Sequence, residues 1–296
     1  MMAKKISGVI TAMITPRAED GPVDDEAVKR LVDYLVDSGV DAIFPTGSAG
    51  EGPILSLEEK KQVIESVVEA VDGRVPVLPG IACTTTKDTV DLGRFCDDLG
   101  VDAVVVVTPW YYALSDDALL SHYSTIAREL ESPIIAYKIP QCAVNDISLD
   151  LLDKLSKLEG IAGVKDSSGN IEWLSRAIMM HGETLSFYGG DDRLILPCLS
   201  VGASGHVSGS SNCFPEEVVG VYRSFVKGDL DGARRWQQRL LRLVSLFPRG
   251  KENSAIREIL RYRGIETGEP LPPMGILSEE ERETIRSTLR RLESGA

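Results

Sequence analysis

The sequence has little histidine, no paired cysteine motif, too little positive charge and no long apolar run. Its five cysteines, Cys83, Cys96, Cys142, Cys198 and Cys213, are odd in number and show no CxxC spacing, so neither a disulfide framework nor a zinc site is expected. There are three histidines, and no His, Cys or acidic residues cluster at ligand spacing. No GxGxxG follows the first apolar run, which argues against a bound dinucleotide, and no cofactor or metal is expected. Lysine and arginine number 32 against 45 acids, a formal charge of −13. That balance excludes nucleic acid and anionic membranes as partners, because both need basic patches. No stretch approaches the roughly 18 apolar residues of a membrane span. The opening MMAKKISGVI has no cleavable signal region after its lysines, so the expected location is cytoplasmic.

What is present is a regular alternation. The apolar runs at 8–14, 41–45, 75–81, 102–107, 133–137, 160–165, 185–189 and 204–208 are each followed by a helical stretch, among them 24–38, 56–71 and 87–99. Eight strand-then-helix units with continuously apolar strands describe a parallel sheet covered by helices, and eight such units close into a barrel. The fold class is therefore α/β, a (β/α)8 TIM barrel; an open doubly wound sheet is the alternative. Three further helices are expected at 232–247, 253–264 and 278–292. The chain divides into a catalytic barrel over 1–225 and a C-terminal helical extension over 226–296 packed on it. Ser56 with Glu59 and Ser278 with Glu281 have the spacing of capping boxes.

In such a barrel the active site lies where the strands end. Lys165 ends the sixth strand segment in GVKDSSGN, Tyr137 ends the fifth, PTGSAGEG (45–52) follows the second and TPWYY (108–112) follows the fourth. Four chemically useful segments therefore meet at one mouth. Strand residues alternate between faces, so Asp166 should point away from the Lys165 amine. The amides of Gly47, Ser48 and Ala49 are placed to form an anion-binding nest.

These residues carry a resemblance. GSAGE (47–51), TPWYY, YKIP (137–140) and GVKDSSGN occur in the order found in the dihydrodipicolinate synthase and N-acetylneuraminate lyase family, and nearly the whole chain takes part. The resemblance implies class I pyruvate chemistry, with Lys165 as the Schiff-base lysine and Tyr137 as the proton relay. It also implies that Ser48 links Tyr137 to Tyr111, and that Tyr111 enters the site of a neighbouring subunit in a homotetramer. Trp110 and Tyr112 flank Tyr111, and packing of a subunit interface is the other role open to this trio. Ala49 departs from the threonine common at its position. An amine attacks a ketone only when neutral, a state that lysine at its ordinary pKa of about 10.4 seldom reaches at pH 7, and burial at a barrel mouth favours it.

The partner of pyruvate is less defined. Cys142 stands where the synthases carry an arginine for the carboxylate of aspartate semialdehyde, and a neutral thiol makes no bidentate carboxylate pair. The histidine linked to lysine feedback is also absent after GSAGE. GGDD (189–192) resembles the lyase segment that holds sugar hydroxyls, which makes Gly189, Asp191, Asp192, Ser167, Val207 and Ser208 candidate substrate contacts. The other role for Asp191 and Asp192 is to cap the helix that follows. Glu51 is expected to hold its loop and His206 to be packed. The leading function is an aldolase or lyase that splits a 2-keto-3-deoxy sugar acid into pyruvate and an aldehyde. The synthase, a keto-deoxy acid dehydratase and a non-catalytic keto-acid-binding protein are the alternatives.

Overall fold

The computed structural model describes residues 5–18 and 21–293. Residues 1–4, part of the opening read for a signal, and 294–296, the end of the expected extension, lie outside them. Seven parallel strands form one curled sheet: β1 (Gly8–Ala12), β2 (Ala42–Phe44), β3 (Val104–Val107), β4 (Ile134–Lys138), β5 (Ile161–Asp166), β6 (Ser186–Gly189) and β7 (Gly205–Ser208). Their order is β2-β1-β7-β6-β5-β4-β3. The expected strand at 75–81 is the one correction. Its residues make only single parallel bridges, Val77 to Ile43 and Gly80 to Val105. Pro76 and Pro79 have no N–H to donate, so a continuous ladder cannot form there. The segment still closes the barrel: Ile43 N donates to Pro76 O at 3.0 Å, Leu78 N to Ile43 O at 2.8 Å, and Val105 N to Pro79 O at 2.8 Å.

Eight helices surround the sheet: α1 (Asp25–Asp37), α2 (Leu57–Val71), α3 (Thr86–Leu99), α4 (Asp116–Glu129), α5 (Leu149–Leu155), α6 (Ile171–His181), α7 (Ile195–Ser200) and α8 (Pro215–Val226). The extension adds α9 (Leu230–Val244), α10 (Glu252–Tyr262) and α11 (Glu279–Glu293). Helix starts follow the capping signals. Ser56 and Glu59 form the reciprocal pair, and the same exchange joins Ser278 to Glu281. Asp229 accepts from Gly232 N at 2.8 Å, which starts α9 two residues before the apolar pattern does.

Strand parity sorts the core. Ile10, Phe44, Ile135, Tyr137, Tyr188 and Val207 fill the barrel interior, whereas Val104, Val106, Ile134, Ala136 and Val164 pack outward on the helices. The extension holds the GSAGE loop from outside. Arg257 on α10 pairs with Glu51 at 2.7 Å with both side chains fully buried, and its Nη2 also donates to Thr15 O at 2.8 Å. Leu271 N donates to the other Glu51 oxygen at 2.9 Å, and Asn253 Nδ2 to Ala49 O at 3.1 Å. A buried ion pair is costly unless its remaining atoms are satisfied, and these added bonds meet that need for the carboxylate.

Candidate active site

Lys165 lies on the interior face of β5, in register with Tyr137 of β4 and Tyr188 of β6. It is 4% exposed. Its Nζ sits 3.9 Å from the centre of the Tyr137 ring and 4.7 Å from that of Phe44. Among the described residues no carboxylate pairs with it. Asp166, one residue on, faces the other way, accepts from Ser168 N at 2.9 Å and lies beside Lys138. Burial pushes its carboxyl up, and the Ser168 hydrogen bonds and the Lys138 charge only partly offset this. The Lys165 amine therefore meets π-faces instead of an acid, and its nitrogen is not tied to a fixed anion.

The hydroxyl that reaches Tyr137 belongs to Ser167, whose Oγ is 3.4 Å from the Tyr137 oxygen and 3.2 Å from Gly190 O. Ser48 lines the same cleft as Tyr137, Phe44, Gly47 and Trp110, but no hydrogen bond joins Ser48 to Tyr137. Tyr111 is 80% exposed and stands edge-on to Tyr112, with ring centres 5.0 Å apart. Within one chain it does not complete the expected Ser48 relay. It lines a separate, larger cleft with Trp110, Tyr112 and His122.

The loop after β2 keeps its carbonyls busy and its amides free. Gly47 O accepts from Gly52 N at 2.9 Å and Ser48 O from Glu51 N at 3.2 Å, while the amides of Gly47, Ser48 and Ala49 meet no acceptor among the described residues. Three such amides in one turn suit a carboxylate. Glycine is required at 47, because a Cβ there would lie 2.6 Å from the Phe44 ring. Thr46 is buried with φ of 56°, an unusual conformation for a β-branched residue, held by its hydroxyl donating to Gly80 O at 2.9 Å.

The segment 189–192 is largely engaged with the protein. Asp191 accepts from Arg193 N at 3.0 Å and from its guanidinium at 2.9 and 2.7 Å, capping a short 3-10 turn. Asp192 accepts from His206 Nε2 at 3.2 Å and Ser210 N at 2.8 Å. Burial pushes the Asp192 carboxyl up, but the hydrogen bond and charge of His206, with the Ser210 amide, hold it below the usual carboxylate range. Val207 faces the interior, and Ser208, fully buried, accepts from Ser211 N at 3.0 Å. Gly189 backs onto Cys198 and His206, whereas a Cβ at Gly190 would lie 3.1 Å from Lys165 Cε. Cys142 sits exposed beyond β4, and partial desolvation of its thiol pushes the pKa up.

Comparison with known proteins agrees with the fold. The profile of the Dihydrodipicolinate synthetase family matches residues 5–292. The chain belongs to this family. A DapA-like lyase of Halobacterium salinarum is 35% identical over 96% of this chain and 93% of its own. The 4-hydroxy-tetrahydrodipicolinate synthase of Bacillus subtilis is 33% identical over 96% and 98%. The solved sialic acid aldolase of Ruminococcus gnavus superposes with a TM-score of 0.94 at 26% identity, covering 98% of both chains. Membership makes the protein a carbon–carbon lyase on a TIM barrel, which sets aside the non-catalytic alternative.

Within this dihydrodipicolinate synthetase family member, Lys165, Tyr137, Ser167 and Gly190 come together in the barrel, with Ser48 and the free amides of 47–49 at its mouth. Two residues at the centre escaped notice in the sequence. Phe44 read as ordinary strand apolarity, yet its ring underlies the lysine; the signal was an aromatic at a strand end directly before PTGSAGEG. Gly190 was overlooked beside Gly189 because only the loop's path shows which glycine approaches the amine.

Proposed function

We propose that the chain is a Schiff-base-forming class I aldolase that cleaves a 2-keto-3-deoxy sugar acid to pyruvate and an aldehyde. The observation that carries this is a buried lysine without an acid partner, set against the ring of a tyrosine whose hydroxyl is also within reach of a second hydroxyl. The Lys165 amine attacks the keto carbon, water leaves, and the protonated imine withdraws electrons from the adjacent carbon. Tyr137 gives its phenolic proton to the departing water as the imine forms, and the phenolate so made takes the proton of the hydroxyl on the next carbon as the carbon–carbon bond breaks and the aldehyde departs. The resulting enamine is reprotonated, and hydrolysis frees pyruvate and the lysine. The amides of Gly47, Ser48 and Ala49 receive the substrate carboxylate, while Ser167, Val207 and the loop that carries Asp191 and Asp192 form the wall for the sugar portion; Gly189 and Ser208 face outward and back that wall. The exposed Tyr111–Tyr112 pair supports a donated Tyr111 in a cytoplasmic homotetramer, each subunit a barrel over 1–225 with its extension over 226–296.

The synthase reading has the names of relatives such as the Bacillus subtilis protein in its favour. The neutral Cys142 at the place expected for a carboxylate-gripping arginine weighs against it. Two experiments test the proposal. Borohydride added with saturating pyruvate should leave one reduced adduct at Lys165 by intact-mass and peptide mass spectrometry, and no adduct would sink the imine. A panel of 2-keto-3-deoxy acids should release pyruvate; condensation with aspartate semialdehyde in the absence of any such cleavage would establish the synthase instead.

A further inference from the structure

The loop after β6 is fixed from two sides by buried groups that take no part in the imine chemistry. His206 is wholly buried on the outward face of β7, and its Nε2 lies 3.2 Å from Asp192 Oδ1. Its Nδ1 has no partner, and the neighbouring Gly189 leaves no room for a side chain, because a Cβ there would be 2.7 Å from that nitrogen. From the extension, Gln237 of α9 donates to Asp192 O at 2.9 Å and accepts from Leu196 N at 3.0 Å. Asp192 is thus tied through its carboxylate to β7 and to Ser210, and through its carbonyl to α9.

Gly190 transmits this restraint to the centre of the site. Its carbonyl accepts from the Ser167 hydroxyl that also reaches Tyr137, and a Cβ at this position would lie 2.1 Å from that hydroxyl oxygen and 3.1 Å from Lys165 Cε. A shift of the loop would move the wall beside the amine without removing either the amine or the tyrosine. The imine chemistry would stay in place while the hold on the rest of the substrate loosened, a loss that falls on KM and not on kcat.

We propose that His206 and Gln237 are positioning residues that lock loop 189–192 against Lys165 and so set how firmly the site holds the part of the substrate beyond the pyruvate unit. The proposal rests on the lyase reading for its kinetic consequence. A buried imidazole that spends one nitrogen on a carboxylate and leaves the other idle contributes orientation at the expense of an unsatisfied atom, and a purely packing role would be met as well by an aliphatic side chain. Gln237 satisfies both the carbonyl and the amide it meets, and it reaches them from outside the barrel.

The test uses the full chain and three variants, His206→Leu, His206→Gln and Gln237→Leu, each first confirmed folded by circular dichroism. His206→Leu is expected to raise KM for the cleaved keto-deoxy acid by about tenfold with kcat within about twofold, and to keep the pyruvate–borohydride adduct at Lys165. His206→Gln, which restores an N–H toward Asp192, should recover most of that KM. Gln237→Leu should raise KM in the same direction, and the double variant His206→Leu/Gln237→Leu should fall short of the product of the two effects, because both act on one loop. Unchanged KM in folded His206→Leu, no recovery by His206→Gln, or a fully multiplicative double variant would each overturn the proposal. Amide hydrogen exchange gives a readout free of turnover: Ser210 N–H should lose protection in His206→Leu and Leu196 N–H in Gln237→Leu. Protection unchanged at both would refute the lock even if the unmodified protein forms no pyruvate adduct, an outcome that by itself counts only against the imine reading.

Discussion

Two buried lysines lie on neighbouring strands, and they have opposite surroundings. Lys138, 2% exposed at the end of β4, points outward, pairs with Asp146 and lies 4.8 Å from the Trp173 ring centre. Lys165, 4% exposed on β5, points inward and has only the faces of Tyr137 and Phe44. Burial alone therefore does not mark a reactive amine. What separates the two is strand parity, which gives one lysine an acid and the other a cavity. The register makes the contrast sharper, since Lys138 stands opposite Asp166 while Lys165 stands opposite Tyr137.

The largest effect should come from exchanging the two amines for thioethers. Lys165→Met should lose essentially all turnover and all borohydride labelling, while Lys138→Met keeps the adduct; a labelled Lys138 in place of Lys165 would reverse the comparison. Tyr137→Phe, which leaves the ring beside the amine and removes its hydroxyl, should lower kcat by roughly 10² while labelling persists. A third outcome concerns what one chain leaves unfinished. Tyr111→Phe and Lys165→Ala chains, each nearly inactive, should regain activity when refolded together if Tyr111 is donated across an interface, and mixed oligomers as inactive as their parents would leave Tyr111 as packing.

His122 extends the comparison to a third buried base, one that like Lys165 has no carboxylate beside it among the described residues. Burial pushes it from its ordinary 6.5 down to about 4. Between those values the folded chain binds fewer protons than the unfolded one, so stability should fall as pH is lowered through that window, by about 3 kcal/mol in all. His122→Gln should flatten that part of the stability–pH curve, followed by thermal unfolding at pH 7, 6, 5 and 4. The smallest effect should be on Lys138 itself. Its partner Asp146 is half exposed, so Lys138→Met should cost only about 1 kcal/mol in denaturant unfolding at pH 7. Asp166, already raised from 3.8 by burial, would rise further without that cation. Because the folded state then binds the extra proton, stability should fall more steeply as pH rises from 3.8 in this variant than in the parent.

The barrel was legible because its signals are local and repeated. Apolar runs of strand length, Ser56 with Glu59 and Ser278 with Glu281 place elements from neighbouring residues alone, and seven of the eight expected strands stand where the pattern put them. The eighth shows the limit of apolar patterning, since Pro76 and Pro79 deny it a ladder even though its backbone still closes the sheet. That Lys165 and Tyr137 lie together was legible because both end strands that share a mouth. Ser167 was expected among substrate contacts; that its hydroxyl also neighbours Tyr137, 30 residues away in sequence, is something no local signal spans. The charges of GGDD were visible, but their partners, Arg193, His206 and Ser210, depend on how β7 lies beside β6.

By itself the sequence determined the alternation of strands and helices, the helix starts and the parity that turns Lys165 inward and Asp166 outward, since each of these follows from residues within a few positions of one another. The tertiary structure alone decided that Phe44 lies under the amine, that Gly190 rather than Gly189 approaches it, and that Arg257 and Gln237 of the extension hold two of the site's loops. Those contacts join segments tens to hundreds of residues apart, and only the closing of the sheet brings them within a hydrogen bond's reach.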